Sequence, residues 1–251
     1  RTADMVLRST SSGAQAEIEM QPAQKAFVTL LAPEFVRGTI IPFFGDGIFG
    51  TGSLSNFQLV TALATRTGLS WRKSDTLAAA AEMLQLRRED RGEFLADLRE
   101  ILESQAKERR GAPIAAFELV RALKPPWNVF TTTYDCELER FLDSAGLPYV
   151  IVCHVLESTS GDAGKVMVVR SRHHPRAGDP AHAVVLRETT ELTLELDPDD
   201  CVVYKLLGSP FLHDSELARS RGLDTVVITE SDHITFLSRM ADQKTTIPNH
   251  F

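Results

Sequence analysis

Apolar strand patterns alternate with amphipathic helix patterns through the second half of the chain, and this alternation restricts the fold more than any other feature. The strand patterns are WNVFTTT (127–133), LPYVIVCH (147–154), CVVYKLLGS (201–209) and LDTVVITE (223–230). Helix patterns follow the first and the last of them, over 134–146 and 231–241. Strands without a polar face need helices on both sides of their sheet. The sequence therefore predicts an α/β fold with a Rossmann-like, mostly parallel sheet.

The first half of the chain adds one more strand and a long helical region. Residues 38–44 (GTIIPFF) predict a buried strand after a helix over 24–35, and residues 45–53 form a glycine-rich loop. The patterns over 55–123 predict a helical insertion, whose first helix begins at a capping box from Ser55 to Gln58. Two further segments, 165–170 and 181–196, are typical of strands or a hairpin.

Composition excludes several classes of function. The net charge of −7 argues against general binding of nucleic acid, which needs clustered basic residues. No apolar run reaches the roughly 20 residues of a membrane span. The three cysteines are far apart in the sequence, so a four-cysteine zinc ribbon is excluded. Three reduced thiols are typical of a cytoplasmic protein, and we expect neither a metal nor a membrane partner.

Four predicted strands end in polar or glycine-rich sequence. These ends are Gly45-Asp46-Gly47, Thr131-Thr132-Thr133-Tyr134-Asp135, Gly208-Ser209 and Thr229-Glu230-Ser231-Asp232. Parallel sheets bind ligands beyond the carboxyl ends of their strands, and glycine lets backbone approach a phosphate closely. The dinucleotide fingerprint G-x-G-x-x-G is not matched in its usual context, because a loop separates Gly50 from the next helix.

The order of these motifs resembles that of the sirtuin-like domains of bacterial proteins, the branch that includes NAD-hydrolysing antiphage effectors. The similar stretches are IIPFFGDGIF (40–49), TTTYDCELE (131–139), VYKLLGS (203–209) and VITESDH (227–233). The resemblance covers residues 38–250 and implies a Rossmann-like sheet with a helical insertion. It also implies that 23–251 form one domain of a longer protein, without the family's last strand. Residues 1–22 are rich in Ser, Ala, Gln and Thr with little apolar periodicity, which predicts a tail or linker.

The resemblance implies a nucleotide pocket for NAD or ADP-ribose. The implied binding residues are Gly45, Asp46, Gly47, Phe49, Thr132, Thr133, Gly208, Ser209 and Glu230. The carboxylate of Asp46 would repel a pyrophosphate, so three other roles stay open for it. It points away, caps the start of a helix, or binds a ribose hydroxyl.

The residues that would carry catalysis depart from the family pattern. Thr133 stands where the family has an asparagine that helps to place the attacking water, and Leu207 stands where it has the histidine base. Leucine cannot accept a proton, and general base catalysis contributes about 10²–10⁴ in rate. Thr133 and Asp135 remain candidate catalytic residues, and His213 is the candidate replacement base, with His154 as another.

We therefore expect a sirtuin-like nucleotide-pocket domain of a bacterial defence or signalling protein, with impaired catalysis. Two alternatives stay open. One is an active NAD glycohydrolase with a shifted base, and the other is a structural module for oligomerisation or for contact with other domains. Protein deacylation is disfavoured, because both the histidine and the zinc module are missing.

Overall fold

The computed structural model describes residues 29–30, 32–34, 37, 39–49, 55–68, 76–109, 114–177, 184–213 and 215–240. The predicted tail 1–22 and residues 50–54 of the glycine-rich loop lie outside these ranges. Residues 29–30 and 32–34 are helical, as the predicted helix over 24–35 requires. The three cysteines are free thiols, as expected.

The described strands form one six-stranded mixed sheet, which confirms the predicted α/β class. The strands are β1 (Phe43–Phe44), β2 (Asn128–Thr131), β3 (Val150–His154), β4 (Val166–Arg170), β5 (Val184–Arg187) and β6 (Val202–Lys205). Their order across the sheet is β1-β2-β6-β3-β4-β5. The first four in this order are parallel to one another, whereas β4 and β5 continue from β3 as an antiparallel meander.

Helices occupy the connections between the parallel strands. The helices described in full are α1 (Asn56–Thr67), α2 (Leu77–Arg88), α3 (Arg91–Glu108), α4 (Ala115–Ala122), α5 (Glu137–Ser144), α6 (Leu192–Glu195), α7 (Glu216–Arg221) and α8 (Glu230–Met240). The first four lie between β1 and β2, where the helical insertion is predicted. Ser55 caps α1 by accepting the amide N–H of Gln58, as the capping box indicates.

Both faces of the sheet are covered, because alternate residues of its central strands join different cores. Val129 of β2 and Val203 of β6 pack with residues of α1–α5 on one face. Val202 and Tyr204 of β6 pack with Leu192 of α6 on the other face. This alternation explains why these strands have no polar face in the sequence. No helix among the described residues is long and apolar enough to cross a membrane.

The predicted strand over 223–230 is wrong. Residues 223–229 are buried, but they form no hydrogen-bonded ladder with a strand of the sheet. Of these residues, Asp224 alone forms a bridge, an isolated one to Glu157. Side chains replace the ladder here: the carboxylate of Asp232 accepts the N–H groups of Ile228 and Thr229, at 3.0 and 2.9 Å. The local polar residues thus satisfy the backbone that a neighbouring strand would otherwise satisfy.

Two further strand predictions need correction. The strand predicted over 38–44 is reduced to Phe43–Phe44, because Pro42 has no N–H and offers only its carbonyl, which accepts the N–H of Phe130 at 2.9 Å. The segment 181–196 contains β5 but turns helical from Thr189 onward. There Glu195 binds Arg187, so a side-chain ion pair fixes the turn back onto β5.

Candidate functional site

The loops that follow β1, β2 and β6 lie side by side at one edge of the sheet. Phe44 is in register with Thr131, and Thr131 with Lys205, so the three strands end at the same level. The N–H of Thr132 donates to the carbonyl of Phe44 at 3.0 Å, and that of Leu206 donates to Thr131 at 2.9 Å. The sheet therefore brings together three of the four predicted strand ends.

Gly45 begins the first of these loops and lies against the second. A Cβ at Gly45 would be 3.7 Å from the hydroxyl oxygen of Thr132, an ordinary contact. Gly47 is exposed, and a Cβ there would face open space. Residues Asp46–Phe49 form a short 3-10 helix, which ends the strand abruptly.

Asp46 takes one of the three roles that the sequence left open. Its carboxylate accepts the N–H of Asn56 at 3.3 Å, so it caps the start of α1. A helix N-terminus attracts anions, because its first N–H groups lack partners within the helix. The carboxylate of Asp46 therefore holds the position at α1 that a phosphate would otherwise favour.

The second loop keeps its polar side chains for its own backbone. The hydroxyl oxygens of Thr131 and Thr133 are 3.0 Å apart, and the N–H of Thr133 also donates to the Thr131 hydroxyl oxygen at 3.1 Å. The carboxylate of Asp135 accepts the N–H of Glu137 at 2.8 Å, at the start of α5. Both candidate catalytic side chains are buried and internally bonded.

A buried lysine supports this second loop, and the sequence analysis did not single it out. Lys205 is 1% exposed, and its ammonium donates to the carbonyl oxygen of Asp135 and, at 2.6 Å, to the carboxylate of Glu139. Burial opposes the charge, but Glu139 and Asp135 outweigh this effect and hold the pKa of Lys205 above its usual value. The sequence does contain a signal for this role, because Lys205 is a charged residue within an otherwise apolar strand. A charged residue in that position requires a buried partner.

The third loop is fixed by the buried segment 223–229. The N–H of Val227 donates to the carbonyl of Leu207 at 3.0 Å. Gly208 has φ +69°, and a Cβ there would lie 1.7 Å from the carbonyl oxygen of Thr225. The hydroxyl of Ser209 donates to the carbonyl of Tyr134 at 3.2 Å, which joins the third loop to the second. Only glycine fits at position 208.

The remaining predicted residues are not tied to these loops. His213 follows the 3-10 helix Pro210–Leu212 and is partly exposed, and Glu230 is exposed in the first turn of α8. Among the described residues, neither side chain hydrogen-bonds to the three loops. His154 ends β3, where burial, aided by the charge of Arg239, lowers its pKa to about 4. His154 is therefore a neutral but weak base near pH 7.

The cysteine nearest these loops is poorly suited to nucleophilic catalysis. Cys136 precedes α5, and burial, with a further contribution from Glu139, raises the pKa of its thiol to about 12. A cysteine nucleophile acts as the thiolate, which needs a lowered pKa. Tyr134 is also held in its protonated form, because burial raises its pKa, and its hydroxyl donates to the carbonyl of Val227 at 2.8 Å.

A histidine and two aspartates cluster away from these loops, at a distance suited to a metal ion. The ligand atoms of His174, Asp197 and Asp200 lie within 4.8 Å of one another. However, Nδ1 of His174 accepts the N–H of Arg176 at 3.1 Å, and Nε2 lies 2.9 Å from Asp200. Arg176 also pairs with Asp197. These hydrogen bonds and ion pairs account for the cluster without an ion.

The position of the three loops in the fold is clearer than their chemistry. Gly45, Thr132 and Gly208 follow strands that end at one level, at the edge where α/β sheets bind ligands. Of the residues for which the resemblance implies a catalytic position, Leu207 has no ionisable group, and Thr133 and Asp135 are internally bonded. A comparison with family models gives no match for this chain, and a search among curated proteins finds no similar sequence.

Proposed function

We propose that the loops after β1, β2 and β6 form the NAD or ADP-ribose pocket of a sirtuin-like domain in a bacterial defence or signalling protein. One observation carries the proposal: three neighbouring parallel strands end at one level, and a glycine of the first loop lies against Thr132 of the second. A loop without a Cβ at Gly45 leaves room for a ligand at this edge.

The proposed pocket is catalytically impaired. Leu207 has no group that can accept a proton, and its side chain packs against the main core. The hydroxyl of Thr133 is bonded to that of Thr131, which leaves it poorly placed to orient a water. Losing both groups removes the general base and its positioning partner from the usual NAD-hydrolysis route.

Titration calorimetry with NAD and with ADP-ribose tests the binding proposal. We expect one of the two to bind the wild-type protein, and we expect Gly45→Val to abolish binding because its methyl groups fill the space beside Thr132. Thr61→Val is the matched control, since it places the same side chain on the exposed part of α1. Absence of binding by both ligands to the wild type would refute the nucleotide pocket.

Release of nicotinamide from NAD tests the catalytic part of the proposal. We expect none from the wild type and measurable turnover after the double substitution Thr133→Asn with Leu207→His. Turnover by the wild type would instead support an active hydrolase with a shifted base. In that case His213→Gln and His154→Gln, measured separately, would identify the base.

A structural module is the second candidate, and a specific observation favours it. Asp46, Thr133, Asp135 and Ser209 all use their side chains in hydrogen bonds within the protein. Internal hydrogen bonds from all of these side chains are expected in a protein whose loops serve only to keep the structure rigid. The calorimetry separates the two candidates, because a structural module binds neither NAD nor ADP-ribose.

A further inference from the structure

Arg91, the first residue of α3, links the helical region to the candidate pocket. We propose that Arg91 is a positioning residue: it holds the segment 223–232 in place, and this segment in turn fixes the third loop of the pocket. The effect on ligand affinity rests on the proposed function, whereas the effect on the loop itself does not.

The guanidinium of Arg91 has three partners in this distant segment. Its Nε lies 2.6 Å from the carboxylate of Asp224, and its Nη2 lies 3.0 Å from that of Asp232. The same Nη2 donates to the carbonyl of Val226 at 2.7 Å. The guanidinium carbon also lies 5.1 Å from the centre of the Phe94 ring. The side chain is only 21% exposed, so water screens these contacts weakly.

The residues between these partners contact the pocket loops. The hydroxyl of Thr225 makes two hydrogen bonds of 3.4 Å with Ser209: its oxygen accepts the N–H of Ser209, and its O–H donates to the carbonyl of Ser209. Val227 binds Leu207 through its N–H and Tyr134 through its carbonyl. The close approach of Thr225 to Gly208 leaves the third loop little room to shift independently. A displacement at 224–227 is therefore transmitted to 207–209.

The planar shape of the guanidinium matters for this role. Arginine presents several N–H donors in a fixed fork, so one side chain can bind Asp224, Val226 and Asp232 together. A lysine ammonium keeps the charge but cannot reproduce the fork. We therefore expect Arg91→Lys to preserve folding while it loosens the segment, and Arg91→Met to loosen it further.

The helical region supplies a matched control. Arg66 of α1 also bridges two carboxylates, those of Asp97 and Glu100, and it is 27% exposed. All three of these residues lie in helices between β1 and β2, and the contacts of Arg66 lead to α3 rather than to the segment 223–232. Removing Arg66 thus breaks ion pairs within the helical region, where Asp97 keeps its pair with Arg88, without touching the three loops.

Hydrogen exchange followed by mass spectrometry tests the structural part without any ligand. For peptides that cover 206–209 and 224–228, we expect Arg91→Met to accelerate exchange by about tenfold or more. Arg66→Met should change the same peptides by less than about twofold. Equal acceleration in the two variants would overturn the proposal. If Arg91→Met does not fold, Arg91→Lys decides the question by the same criterion.

Titration with NAD and ADP-ribose tests the link to function. We expect Arg91→Lys to weaken binding several-fold and Arg66→Met to leave it unchanged. Equal weakening by the two variants would show that Arg91 acts only through general stability. If the wild type binds neither ligand, the proposed function fails, and the exchange experiment still decides whether Arg91 positions the loop.

Discussion

The parallel and antiparallel halves of the sheet each contain a buried ion pair, but the two pairs have different surroundings. In the parallel half, Lys205 of β6 is 1% exposed and binds Glu139. In the antiparallel half, the Arg170 side chain of β4 is fully buried and binds Glu195, which also binds Arg187 of β5. The second pair borders an open cleft of about 430 Å³ with charged walls, whereas the first contacts the loop after β2 through the carbonyl of Asp135.

The two carboxylates differ in the number of cations that they bind, and this number decides how far each half of the sheet depends on a single side chain. Glu139 depends on one cation, and Lys205 holds both α5 and the carbonyl of Asp135, so this pair fixes the loop that carries Thr133. Glu195 has two cations, so it tolerates the loss of one. We therefore expect the parallel half to respond to single substitutions far more strongly than the antiparallel half.

The largest difference in stability loss is expected between alanine substitutions at two glycines with positive φ. Gly208→Ala brings a Cβ to within 1.7 Å of the Thr225 carbonyl oxygen, whereas Gly164→Ala, in the turn before β4, meets open space at φ +90°. We expect Gly208→Ala to lower the free energy of unfolding by about 4 kcal/mol or more. Gly164→Ala carries only backbone strain of about 1 kcal/mol.

Urea denaturation measured by circular dichroism checks this prediction, because both substitutions add the same methyl group. A loss at Gly208 that is no larger than the loss at Gly164 would contradict the close approach to Thr225. It would also weaken the case for a rigid third loop.

A smaller difference is expected when the two buried cations are removed. Lys205→Met leaves the Glu139 carboxylate buried without its cation, which costs about 3–5 kcal/mol. Arg170→Met leaves Glu195 paired with Arg187, so we expect a cost of about 1–2 kcal/mol. Methionine keeps much of the apolar volume of both side chains, and each substitution removes one cation together with its hydrogen bond to a backbone carbonyl.

The same denaturation series, followed at pH 7, measures both costs. Equal losses would show that Arg187 does not compensate for Arg170. A double substitution of Lys205→Met with Glu139→Gln should recover part of the stability, because it removes the unpaired buried charge.

The smallest effect on stability is expected from His154, at the end of β3, the strand that the parallel and antiparallel halves share. The pKa of His154 is about 4 in the folded protein, chiefly because of burial, against about 6.5 in an unfolded chain. Between these values the unfolded chain binds a proton that the folded protein does not, so stability falls as the pH drops from about 6.5 to about 4. These two values correspond to about 3 kcal/mol, and the partial exposure of His154 to water reduces the expected contribution to about 2 kcal/mol.

Comparing the wild type with His154→Gln across this pH range isolates the contribution. The variant should lose less stability on acidification than the wild type does. Parallel stability curves for the two proteins would show that His154 does not have the lowered pKa.

The sequence predicts the α/β class because the evidence for it is local. Apolar runs such as 147–154 and 201–209 need cover on both faces, whatever their neighbours are. The same reasoning predicts α1 with its cap at Ser55, and the three strand ends that meet at one edge. It fails for 223–230, whose composition resembles that of a strand, because hydrogen bonds to Asp232 take the place of a ladder.

The candidate site is predicted less completely than the fold. The sequence predicts Gly45, Thr132 and Gly208 as residues at strand ends. For Asp46 it left three roles open, of which the structure shows the cap at the start of α1. The roles of Lys205 and Arg91 depend on partners from other elements. The partners of Arg91 in the segment 223–232 are 133 to 141 residues away in the chain. Sequence spacing carries no information about contacts of that kind.

By itself, the sequence determined the alternation of strands and helices, the position of the glycine-rich turns, and the absence of a base at Leu207. These depend on the period of apolar residues and on the chemistry of single side chains. Only the tertiary structure decided the strand order, the inward hydrogen bonds of Thr133 and Asp135, and the support that Lys205 and Arg91 give the loops. The reason is physical: a buried charge must find a partner, and the folded chain alone fixes which partner is within reach.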